Sequence, residues 1–79
     1  MNKDLETVKI GEIKGRKIIS AEVFRTEDGQ YCPVLRVWGR KDPVAIEKKR
    51  GGLRVYHNLS NLAGLLKEMG VERFDVVLN

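Results

Sequence analysis

The chain has 79 residues, 42% of them hydrophobic and 33% charged, a composition that predicts one small folded domain rather than disorder. Cys32 is the only cysteine, which excludes an intramolecular disulfide framework. No apolar run approaches the roughly 20 residues of a membrane-spanning helix, and the charged Met1–Lys9 stretch has no signal-peptide core, so a cytoplasmic protein without membrane contact is expected.

Taken in chain order, residues 1–6 are polar and expected to fray. Residues 7–13 read as a weak strand or turn around Val8, Ile10 and Ile13. Residues 17–25 read as a strand, with Ile19, Ala21 and Val23 on one face and Ser20 and Glu22 on the other; Ile18 and Phe24 break the alternation. Asp28-Gly29 then marks a hairpin, because glycine supplies positive φ at no steric cost. Residues 31–40 alternate most clearly. Tyr31, Pro33, Leu35 and Val37 share one face, and Cys32, Val34, Arg36, Trp38 and Arg40 the other. Pro33 has no N–H for a ladder and is expected near a strand start or an edge.

Asp42-Pro43 is a turn, and residues 44–49 form an arm or short strand that ends at Gly51-Gly52. Residues 53–57 alternate again, with Leu53 and Val55 expected inward and Arg54 and Tyr56 outward. Asn58 is an N-cap candidate for an amphipathic helix over 59–69, whose leucines and Met69 recur at helical spacing until Gly70 stops it. Phe74, Val76 and Leu78 alternate in a last short strand. The expectation is a single α+β domain over 1–79: an antiparallel sheet of four to five strands, one helix packed on its aliphatic face, and a short C-terminal strand.

Net charge is +4, but its distribution is more telling than its size. Residues 1–35 carry six basic and six acidic side chains, whereas residues 36–54 carry seven basic side chains against Asp42 and Glu47. A basic block interleaved with aromatic residues attracts polyanions, and unstacked bases pack on exposed rings. The candidate nucleic-acid-binding residues are therefore Arg36, Trp38, Arg40, Arg54 and Tyr56 on a sheet face, with Lys48, Lys49 and Arg50 as a mobile electrostatic arm. Each has a plainer reading as well. Trp38 could pack under that arm or in a dimer interface, the arginines could cover the sheet through ion pairs, and Glu22, Glu27 and Asp42 could be their solvated partners.

Catalysis is not expected. One histidine, His57, and one cysteine far from it in sequence assemble neither a metal site nor an acid–base pair, so no cofactor, metal or small-molecule substrate is anticipated.

Through Leu35-Arg-Val-Trp38, the Lys49–Leu53 stretch and the 59–69 helix, the chain resembles the single-stranded-DNA-binding transcriptional positive-cofactor (Whirly-like) group over about residues 17–69. That resemblance implies a curved antiparallel sheet followed by a helix, a homodimer formed through the helices, and strands that grip single-stranded DNA. Arg36 and Trp38 would match its strand motif. The apolar Val44-Ala-Ile46 segment and the Val71–Leu78 strand depart from that group's pattern. The Asp-Gly hairpin and Trp-bearing strand also resemble the three-stranded domains by which integrases grip duplex arms. A homodimeric protein-interaction module is the expectation from a different class.

Overall fold

The computed structural model describes residues 5–78. In chain order the elements are β1 (Glu6–Lys9), α1 (Ile10–Ile13), β2 (Ile18–Arg25), β3 (Tyr31–Val37), β4 (Val44–Glu47), α2 (Leu59–Glu68) and β5 (Asp75–Val77). The strands form one sheet in the order β1-β4-β3-β2-β5. The fold is α+β with a small C-terminal strand, as the periodicities imply. Of the residues expected to fray, 1–4 lie outside the described residues, and Glu6 already belongs to β1.

The sheet is mixed rather than antiparallel throughout. β2 and β3 form the expected hairpin, but β1 pairs parallel with β4, and β5 pairs parallel with β2. Parallel neighbours need a crossover. Here α2 carries the chain from β4, across the sheet, to β5. A second, four-residue helix, α1, follows β1 and buries Ile13 in the same core.

Both helices lie on one face. Leu62 and Leu66 of α2 and Ile13 of α1 are fully buried against Val8, Val23, Leu35, Val37, Val44 and Ile46. Asn58 caps α2 with its side-chain oxygen, which accepts from the amides of Ser60 at 2.7 Å and Asn61 at 3.4 Å. Gly70 ends that helix at φ +87°, a conformation that costs other residues a Cβ clash.

Three local features differ from the alternation expected of the sequence. A bulge shifts the β2–β3 register so that Ile18 pairs with Val37 and Ser20 with Arg36. Ile19 is the extra residue; it turns out to 54% exposure while Ile18 packs against the core. Pro33 lies within the central strand and is fully buried. Tyr31 exchanges both backbone hydrogen bonds with Tyr56 at 2.8 Å, so by the two-residue pleat the Pro33 nitrogen faces that same side. There the β3–β4 ladder is limited to Val34 and Leu35, and no donor is required at Pro33. Third, the 53–56 segment has the reverse orientation. Leu53 is 42% exposed, whereas Tyr56, the cross-strand partner of Tyr31, packs against the core.

Candidate nucleic-acid interface

Arg36 projects from β3 on the face away from the helices and is exposed. Trp38 follows in a tight turn closed by the Arg40 amide donating to the Val37 carbonyl at 3.0 Å. Gly39 takes φ +90° at the third position of that turn, as a type II turn demands. The turn leaves the indole 66% exposed. Among the described residues, the cations stacked over rings are Arg25 on Tyr31 and Arg54 on Tyr56, so none covers Trp38.

The hairpin brings a second group of cations to this end of the sheet. β2 begins where β3 ends, and the Trp38 amide donates to the Lys17 carbonyl at 2.8 Å. The loop holding Lys14, Arg16 and Lys17, all exposed, therefore runs beside the Trp38 turn, with exposed Lys41 beyond it. Charge along the chain does not reveal these lysines and Arg16, because acidic neighbours in sequence balance them. The hairpin was the usable signal. Counting outward from Asp28-Gly29 brings the chain near residue 18 opposite residue 38.

Not all the expected site residues join this cluster. Arg40 belongs to it by position, but its guanidinium is ion-paired with Glu6. In the ion pairs seen among the described residues the acidic partners are Glu6 and Glu47, not Glu22, Glu27 or Asp42, and Glu47 holds Lys9 at 3.5 Å. Lys48, Lys49 and Arg50 lie at the opposite end of β4, about 13 Å of strand away for its four residues. Nor do they form a loose arm. The Lys48 amide donates to the Gly52 carbonyl and the Gly51 amide to the Lys48 carbonyl, both at 2.9 Å, which closes a hairpin. Arg54 and Tyr56 sit near that hairpin, with the Arg54 guanidinium carbon 5.8 Å from the Tyr56 ring centroid. Tyr56 faces the core and is withdrawn from the Arg36 surface, contrary to its expected outward position.

Neither described helix packs on the opposite face of the sheet, yet Cys32 and Ala45 at its centre are buried, Ala45 completely. That centre also carries Val34 and is bordered by Phe24 and Val77. Burial pushes the Cys32 thiol above its ordinary pKa, which suppresses thiolate chemistry. Among the described residues no three His, Cys, Asp or Glu side chains converge as a metal site requires. No helix among them is long and apolar enough to cross a membrane. Compared with known proteins, the chain matches no family model, no curated protein and no solved structure.

Proposed function

We propose that this chain binds single-stranded nucleic acid, DNA in the first instance, and does so without chemistry. The observation that carries the reading is the open indole of Trp38, held on a defined turn and flanked by Arg36 and the Lys14–Lys17 loop. Each element suits an unpaired strand: a ring for one base to stack on, and neighbouring cations for its phosphates. The resemblance to the single-stranded-DNA-binding group supports the same conclusion through Arg36 and Trp38. A cytoplasmic location accompanies the proposal, since the free Cys32 thiol suits a reducing compartment.

Trp38 is the only tryptophan, so its fluorescence reports directly on the site. Titration with an oligothymidylate should quench the emission, and affinity should fall with rising salt, at about −0.7 in log–log slope per phosphate contacted. Absence of binding at low salt to either single or double strands would overturn the reading. The sheet face on which neither described helix packs favours a second reading, a homodimeric interaction module sealed across that face. A mass of two chains by light scattering, together with silence in the oligonucleotide titration, would select it.

A further inference from the structure

The helix-free face holds a cavity of about 250 Å³. Leu5, Phe24, Val34 and Pro43 give it apolar walls, and Ser20, Glu22 and Arg36 are its polar groups. Pockets for drug-sized ligands run from about 300 to 1,000 Å³, so this one has room for a single small ring system. Arg36 stands directly across from Ser20, and Glu22 across from Val34. Arg36 and Glu22 are therefore diagonal neighbours, near enough to pair through long side chains. They do not pair: the ion pairs among the described residues are Lys9–Glu47 and Arg40–Glu6. An arginine fork and a carboxylate thus open side by side onto one small cavity.

Resting on the nucleic-acid reading above, we propose that this cavity is a subsite for one guanine of the bound strand. Arg36 lines the cavity and lies two residues before Trp38, roughly 7 Å along an extended chain, so the base next to one stacked on the indole is within reach of the cavity. The hydrogen-bonding groups then choose the base. Guanine presents two adjacent acceptors, O6 and N7, to a guanidinium fork, the commonest specific contact in base recognition. Its N1–H and N2–H groups are two adjacent donors for a carboxylate, which only accepts. Thymine offers Glu22 one N–H between two carbonyls. Adenine and cytosine offer an amino group but no second donor beside it. Guanine alone engages both side chains in bidentate fashion.

The test uses the full chain, Trp38 fluorescence, and four octamers: oligothymidylate and its variants with one central guanine, adenine or cytosine. The guanine octamer should bind about tenfold more tightly than oligothymidylate, within the range of one bidentate base contact, and more tightly than the other two. In Glu22→Gln, whose exposed side chain makes no bond that the fold needs, the guanine preference should shrink several-fold without vanishing, since the Arg36 contact to O6 and N7 remains. Equal binding of all four octamers by the native chain, or a guanine preference that Glu22→Gln leaves undiminished, overturns the subsite while leaving the nucleic-acid reading intact. Failure of all four to bind removes both.

Discussion

The backbone amide of Trp38 donates to the carbonyl of Lys17 at 2.8 Å, which ties the only tryptophan of the chain to a loop twenty-one positions earlier. The bond is made by main-chain atoms, so it survives replacement of either side chain. Trp38→Ala should therefore weaken oligonucleotide binding by about 1–3 kcal/mol, the worth of one base stacked on a ring. Because the indole is exposed, the same change should move folding stability by less than about 0.5 kcal/mol. Trp38→Phe should keep most of the affinity. Anisotropy with a labelled oligonucleotide and urea melts of each variant check this pair of expectations.

Two triple substitutions separate the two basic ends of the sheet. Lys14, Arg16 and Lys17 changed together to alanine remove the same charge as Lys48, Lys49 and Arg50 changed together. If the strand lies along the Trp38 end, the first set should lower the salt slope of binding by about 2, and the second by less than about 1. Equal slopes would mean that net charge, not position, drives association.

Gly39 has φ +90° in the turn that presents the indole, and a Cβ there would meet open space. Gly39→Ala is thus strained by backbone conformation alone, at a cost of about 1 kcal/mol or more. The affected segment is the turn, so oligonucleotide affinity should fall although no group that touches the ligand has changed. Crystallography or amide shifts of residues 37–40 would reveal the altered turn.

Leu66→Ala should destabilise the fold by about 2–5 kcal/mol, since the side chain is completely buried between α2 and the sheet. Asn58→Ala should cost about 1 kcal/mol through loss of the cap. Chemical denaturation measures both. Their ratio asks whether packing or capping holds this helix on the sheet.

The Thr26 hydroxyl donates to Asp28 in the β2–β3 turn, and that hydrogen bond leads the causes that hold the carboxyl below its ordinary pKa of 3.8. A depressed folded-state pKa stabilises the fold above the unfolded value and loses that contribution as pH falls through the folded one. Native stability should therefore decline as pH drops below about 4, and Asp28→Asn should remove that part of the decline. Urea melts of the two proteins at pH 5 and pH 2.5 provide the comparison.

What could be read from the sequence was local. The leucines of α2, its Asn58 cap and its Gly70 stop all lie within one short window, and the alternation of 31–37 stands alone. The open position of Trp38 followed from that alternation carried one residue past the strand. Parallel pairing was not legible, because no local pattern distinguishes β1 beside β4 from β1 at another edge. The inward turn of Tyr56 was hidden for a related reason. Its neighbours alternate correctly, and only the pairing with Tyr31 decides which way the ring points. The cations of the Lys14–Lys17 loop do not stand out along the chain, where acidic neighbours balance them, because only the hairpin brings them beside Trp38.

The bulge at Ile19 has an effect beyond register. β5 covers β2 only from Glu22 to Phe24, so among the described residues the outer rim of β2 from Ile18 to Ala21 has no partner strand. Straight, bare rims of this kind recruit strands from other molecules and seed fibres. The kink at Ile19, with the charge of Lys17 just ahead of it, makes this rim a poor template. Smoothing the bulge away would give the domain a sticky border, and self-association of the purified protein would be the first symptom.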